Sequence, residues 1–186
     1  KNSEVEIHVF DLVDGTSKML YASNENQCYV PRIKWLPNSE NLSITTLNRR
    51  QNNAQVNFIE IKSGIPTLFM EESDEKYLSE FTDDFISFFD KGQSVLIESE
   101  RSGYMHLYRY SSGGKLINAV TSGEWEVDEL LGIDEEAKRI YFTSTEVSPL
   151  ERHIYSIGFD GKNKLRHTTG NGWYSAEFSK RFNYYI

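Results

Sequence analysis

A chain of 186 residues, 38% apolar and 26% charged, is long enough for one or two ordinary domains with a sizeable core. Its formal charge is −8, and Lys and Arg stand singly or in pairs such as Arg49-Arg50, which argues against binding nucleic acid through its phosphates. No apolar stretch approaches the roughly 18–20 residues of a membrane-spanning helix, and the 13% aromatic content favours strands.

The start, Lys1-Asn2-Ser3-Glu4, has neither an initiator Met nor the apolar segment of a signal peptide, so the chain is read as a piece cut from a longer protein. Two strand-like runs follow, Val5 to Asp11 and Lys18 to Tyr21, joined through Asp14-Gly15. Cys28 is the single cysteine. It excludes an internal disulfide, leaves the redox compartment open, and has no neighbouring Lys or His to activate it.

A second unit carries the runs Ile33–Leu36, Leu42–Leu47, Val56–Ile61 and Thr67–Met70, with turns at 37–39 and 63–64. Within it, Asn41-Leu42-Ser43 matches a glycosylation acceptor, a triplet that arises often by chance. The acidic stretch Glu71 to Asp84 has room for one helical turn but reads better as a connection. Its carboxylates lack the Asp-x-Asp-x-Asp-Gly spacing of a calcium loop, so no metal is expected there.

The third unit is the clearest: Ile86–Phe89, Ser94–Ser99, Tyr104–Tyr110 and Lys115–Thr121, separated by Asp90-Lys91-Gly92, Arg101-Ser102-Gly103 and Ser112-Gly113-Gly114. Gly at such positions supplies the positive φ of a tight hairpin and so sets the register. A fourth unit repeats the plan with Leu130–Ile133, Ile140–Ser144, His153–Phe159 and Lys164–Thr168, turning at Asp160-Gly161. Ser175–Ser179 and Tyr184–Ile186 begin another unit.

The units repeat at a nearly constant spacing. His106-Leu107-Tyr108 recurs as His153-Ile154-Tyr155, Gly114-Lys115 as Gly161-Lys162, and Thr121-Ser122-Gly123 as Thr168-Thr169-Gly170, each time 47 residues on. Short apolar runs and Gly-rich turns at this period are the signature of propeller blades. The expected fold is all-β: a β-propeller fragment of four-stranded antiparallel blades, about three full blades plus two partial ones. Residues 1–28 and 171–186 are the partial blades, and 29–72, 73–128 and 129–170 the full ones.

Three groups of residues carry a family resemblance: Tyr29-Val30-Pro31-Arg32-Ile33-Lys34-Trp35 with Leu47 to Asn52; Ser99-Glu100-Arg101-Ser102-Gly103-Tyr104 with His106-Leu107-Tyr108 and Thr121 to Val127; and Tyr141 to Glu146 with Pro149 and Glu151-Arg152-His153. In this joint order the sequence resembles the N-terminal propeller of dipeptidyl peptidase IV-type serine peptidases of the prolyl oligopeptidase family. The resemblance covers roughly residues 29–180. It implies an eight-bladed propeller capping a C-terminal α/β-hydrolase domain, with this chain among the later blades, ending just before the hydrolase.

The activity the resemblance implies for the parent is release of N-terminal dipeptides, Xaa-Pro or Xaa-Ala, from peptide substrates. The triad of such enzymes sits on a Gly-x-Ser-x-Gly elbow, and no such motif occurs in this sequence, so no catalytic residue is assigned and the segment alone is expected to be inactive. The family's paired substrate-binding glutamates lie on an earlier blade, and Glu71-Glu72 does not match them. A late-blade loop of the family carries an aromatic residue towards the active site. The matching stretch is about Leu78 to Phe85, with Phe81 the first candidate for substrate contact and Phe85 the second; both also suit packing between blades, and Thr82 stands where some members carry Arg. The partners implied are the hydrolase domain of the same chain, peptide substrates and a possible homodimer, in a periplasmic, cell-envelope or extracellular setting. No cofactor is implied.

Other residues invite a functional reading that a structural one outweighs. His106 and His153 occupy equivalent strand positions and would need further donors to hold a metal, so each is read as a strand residue with a hydrogen-bonding partner. His8 and His167 have no local ligand partner. Glu100-Arg101 suits a local ion pair or rim contact at a hairpin, and Trp125 and Trp173, 48 residues apart, suit packing between blades. A different reading closes the two terminal half-units on each other, giving a four-bladed propeller that only binds a protein or ligand. A third is a family member that keeps the architecture but has lost its serine.

Overall fold

The computed structural model describes residues 4–186, which divide into two compact units, one ending at Asp83 and one beginning at Asp84. In the first unit, β1 (Glu6–Phe10) and β2 (Ser17–Ala22) form a two-stranded antiparallel sheet. Beside it in sequence, β3 (Tyr29–Trp35), β4 (Asn41–Leu47), β5 (Asn53–Glu60) and β6 (Pro66–Ser73) form a four-stranded sheet in chain order. The second unit holds two more such sheets. One comprises β7 (Ile86–Phe89), β8 (Ser94–Ser99), β9 (His106–Ser111) and β10 (Leu116–Ala119). The other comprises β11 (Val127–Asp134), β12 (Arg139–Ser144), β13 (His153–Gly158) and β14 (Leu165–Arg166). Near the C-terminus Phe178 pairs antiparallel with Tyr185.

Each four-stranded sheet is therefore an up-and-down meander, as the 47-residue repeat predicts. Among the described residues, the β1–β2 sheet contains those two strands alone. No helix occupies the acidic stretch: Glu71, Glu72 and Ser73 extend β6, and 74–85 is an irregular connection.

Burial explains which residues became strands. The middle strands are buried on both faces: β4 loses nearly all exposure from Leu42 to Leu47, and β8, β12 and β13 are similarly covered. A middle strand covered on both faces does not show the clean apolar–polar alternation of a half-exposed strand, and here the Ser and Thr side chains in these strands are buried along with the apolar ones. Outer strands are exposed, and β14 shrinks to two residues. In the second unit the core lies between the two sheets, with Phe89, Leu96 and Leu107 meeting Ile140, Phe142 and Ile157. In the first, Leu20 packs with Leu42, Ile44 and Ile59. Burying each side chain of this size stabilises the fold by about 1.5–3 kcal/mol.

The last hairpin of each sheet shares one device. Gly15, Gly64, Gly114 and Gly161 all sit there with φ between 72° and 80°. At Gly161 there is a second constraint: a Cβ would stand 3.0 Å from the Ala119 carbonyl and 3.1 Å from that of Val120, so this turn is pressed against the outer strand of the preceding sheet.

Candidate functional site

Three turns of the second unit converge on a cleft of about 480 Å³. Asp90 comes from the β7–β8 turn, Glu135, Lys138 and Arg139 from the β11–β12 turn, and Phe159, Asp160 and Asn163 from the β13–β14 turn. Arg109 reaches in from β9. Its guanidinium carbon lies 5.6 Å from the Phe89 ring and 5.5 Å from the Phe159 ring, its Nη2 donates to Ser94 Oγ at 2.9 Å, and its Nε is sealed from solvent without a hydrogen-bond partner.

Arg139 is committed to structure, donating to Ser156 Oγ at 3.1 and 2.8 Å and to the Asn163 carbonyl at 2.8 Å. The Asp90 amide donates to Glu135 Oε2 at 2.9 Å, tying the turns of the two sheets together. The cleft mixes guanidinium and ammonium donors with carboxylates over an aromatic floor, a lining suited to a small polar molecule. No Ser, Thr, Cys or His is among its lining residues.

The residues proposed from sequence to contact substrate lie elsewhere. Phe81 is in the 74–85 connection and Phe85 directly precedes β7, where its carbonyl accepts from the Glu98 amide at 3.1 Å. Both rings are buried, 6% and 5% exposed. The connection is fastened to the first unit: the Leu78 amide donates to the Gln51 carbonyl at 2.8 Å, Arg32 Nε pairs with Asp83 Oδ1 at 3.1 Å, and Lys34 Nζ donates to the Asp83 carbonyl at 3.2 Å. Glu71 is engaged too, accepting from Asn53 Nδ2 at 2.6 Å.

His106 and His153 are buried, hydrogen-bonded strand residues. His106 Nδ1 lies 3.0 Å from Thr121 Oγ1, and His153 Nδ1 lies 2.9 Å from Thr168 Oγ1. Each threonine hydroxyl also accepts from the next backbone amide, Leu107 or Ile154. The far nitrogen differs, meeting the Gly123 carbonyl in one case and Glu151 Oε2 in the other. His8 lies beside Glu6, and His167 contacts Ser156 Oγ at 2.7 Å. Burial, and behind it the Arg139 guanidinium, holds His167 below the ordinary imidazole value of 6.5.

A profile described as the dipeptidyl peptidase IV (DPP IV) N-terminal region matches residues 1–186. The chain belongs to this family. Dipeptidyl peptidase 4 of Arthroderma otae is 31% identical over 196 residues, spanning 100% of this chain and 25% of that protein. Dipeptidyl peptidase 4 of Trichophyton rubrum is 29% identical over 194 residues with the same coverage. The crystal structure of Porphyromonas gingivalis dipeptidyl peptidase 4 superposes with a TM-score of 0.87 and 30% identity over 97% of this chain and 25% of that one. This chain thus spans about a quarter of the length of these relatives. Its fold is that of a dipeptidyl peptidase IV propeller: three four-stranded blades and two partial ones.

Within this dipeptidyl peptidase IV region, the motif residues gather at one end of their blades. Arg101 makes a rim contact, with Nε donating to Ser99 Oγ at 2.9 Å, Nη1 to the Tyr110 hydroxyl, and its guanidinium 4.4 Å above the Tyr108 ring. Arg152 pairs with Asp128 Oδ1 at 2.6 Å, a contact between β11 and the turn after β12 that no local spacing signals.

The two tryptophans expected to share a packing role do not. Trp125 packs between blades, edge-on to His106 at 4.9 Å and stacked on Phe142 at 6.2 Å. Trp173 is 67% exposed, with Arg152 over its ring at 4.5 Å. Tyr174 covers His153 instead, at 5.3 Å. The reason is spacing: Trp125 follows Thr121 by four residues and Tyr174 follows Thr168 by six, so the longer segment through Gly172 delivers the next ring in sequence.

Proposed function

We propose that this chain is the substrate-gating and substrate-binding propeller segment of a dipeptidyl peptidase IV-like serine peptidase that releases Xaa-Pro or Xaa-Ala dipeptides from the N-termini of peptides. The observation that carries the reading is the match to dipeptidyl peptidase 4 proteins along the whole chain, in sequence and in fold. In the parent, an α/β-hydrolase domain of the same polypeptide supplies the nucleophilic serine, general-base histidine and oxyanion hole of an acyl transfer. This segment walls the chamber and restricts entry to short peptides.

Phe81, with Phe85 second, is the aromatic proposed to meet the bound peptide. In this chain both rings are covered, so contact by Phe81 requires the 74–85 connection to turn its ring outward. Substrate contact and wall packing therefore make different demands on the same side chain.

The test is an assay of the full-length protein on chromogenic Xaa-Pro and Xaa-Ala substrates, with this segment as control. Turnover by the full-length protein alone supports the reading. Turnover by the pure segment rejects it, and a folded but inactive full-length protein points to a member that has lost its serine.

A further inference from the structure

The Lys164 ammonium is held on three sides. Its Nζ lies 4.7 Å from the Trp125 ring centroid, 5.7 Å from that of Tyr155, and 2.5 Å from Glu146 Oε1. The rings are fixed from behind, since Trp125 stacks on Phe142 and Phe142 on Tyr155, with centroids 6.2 and 5.8 Å apart. Burial and the nearby Glu146 push the Tyr155 phenol up, so the ring presents a neutral face. Two aromatic faces and one carboxylate around a positive charge are the chemistry that recognises alkylammonium groups. The Lys164 and Glu146 side chains are 32% and 30% exposed, so the ammonium is partly but not fully withdrawn from water.

The position of Lys164 gives this contact a consequence. It directly precedes β14, which pairs with β13 at two positions only, Tyr155 with Arg166 and Ser156 with Leu165. Both β14 residues are exposed, so little apolar burial retains the strand. The last strands of the other four-stranded sheets are longer, with four residues in β10 and eight in β6.

We propose that Trp125, Tyr155 and Glu146 form an ammonium-binding site whose resident ligand is Lys164, and that its occupancy latches β14 onto its blade. The inference is independent of any peptidase activity. It assigns the affinity to the site rather than to the tether, so a chain lacking the Lys164 ammonium accepts a small free alkylammonium ion in its place.

Hydrogen exchange in the full-length protein tests this at the His167 amide, which donates to the Ile154 carbonyl at 2.8 Å just beyond β14. Exchange there should rise about tenfold in Lys164→Ala, the loss of one cation–π and ion-pair contact. Ethylammonium chloride should restore the protection, whereas sodium chloride at equal ionic strength and ethanol should not. Adding Glu146→Gln should abolish the rescue. Lys164→Met keeps the apolar stem and covers the case in which the alanine variant fails to fold. Protection at wild-type level in Lys164→Met, or equal effects of ethylammonium and sodium on Lys164→Ala, would overturn the proposal.

Discussion

Trp125 stands edge-on over His106, ring centroids 4.9 Å apart and planes at 89°. Beneath it the imidazole joins β9 to the segment leading out of its own blade, because Nδ1 meets Thr121 and Nε2 meets the Gly123 carbonyl. The Thr121 hydroxyl accepts from Leu107 N–H, which leaves its hydrogen for His106 Nδ1 and places the imidazole proton on Nε2, facing Gly123. Both ring nitrogens of His106 and the Thr121 hydroxyl are thereby engaged.

Thr121→Val should accordingly cost about 2–3 kcal/mol, since it strands the Leu107 amide and the imidazole nitrogen in the core. Thr168→Val should cost a comparable amount at the equivalent position. Urea unfolding midpoints of the two variants check this, and a near-neutral result for either would show the hydroxyl to be dispensable there.

Gly123 has φ +144°, and a Cβ on it would overlap the Trp125 indole. Gly123→Ala should destabilise by about 2–4 kcal/mol through strain and displacement of the ring. Gly113→Ala, whose Cβ would find only Ser111 Oγ at 4.0 Å, should stay within about 0.5 kcal/mol of the wild type. Thermal melts with Trp emission distinguish the two.

His167 predicts a pH dependence. Arg139 donates twice to Ser156 Oγ, occupying its lone pairs, so the serine hydrogen points to His167 Nε2, which must be unprotonated to accept it. The folded value lies below the unfolded 6.5, so the unfolded chain binds the proton first. The stability is present above pH 6.5 and declines as the pH falls below it. His167→Gln should flatten that part of the profile, measured as unfolding midpoint between pH 7 and 5; an unchanged slope would remove His167 as the cause.

Phe81 is buried, so Phe81→Ala should lose about 3 kcal/mol by cavity formation whatever its role. Phe81→Leu preserves most of the packing. In the full-length protein it should raise KM for a dipeptide substrate at nearly constant kcat. Unchanged kinetics with a folded Phe81→Leu protein would leave only the packing role.

Much of the architecture was legible before any fold was in hand. Gly15, Gly64, Gly114 and Gly161 mark equivalent hairpins because an L side chain resists the left-handed backbone those turns adopt. The runs at 42–47, 94–99 and 140–144 are legible as middle strands because each carries apolar residues without a clean apolar–polar alternation, and nearly all their side chains, Ser and Thr included, are covered. His106 and His153 were recognisable as repeat equivalents because His106-Leu107-Tyr108 recurs as His153-Ile154-Tyr155 at the common 47-residue spacing, and the structure gives both the same partner, a Thr fifteen residues on.

The sequence by itself thus determined the blade count, the turns and the family, all of which depend on local backbone preference and on a period. Tertiary structure alone decided which side chains meet across blades. Tyr174 rather than Trp173 covers His153, Arg109 faces Phe159 across the cleft, and Lys164 rests between Trp125 and Glu146. Such contacts join residues from about 20 to 50 positions apart through close packing of facing sheets. A loop longer or shorter by one or two residues turns a different side chain into the contact, and no repeat spacing records that.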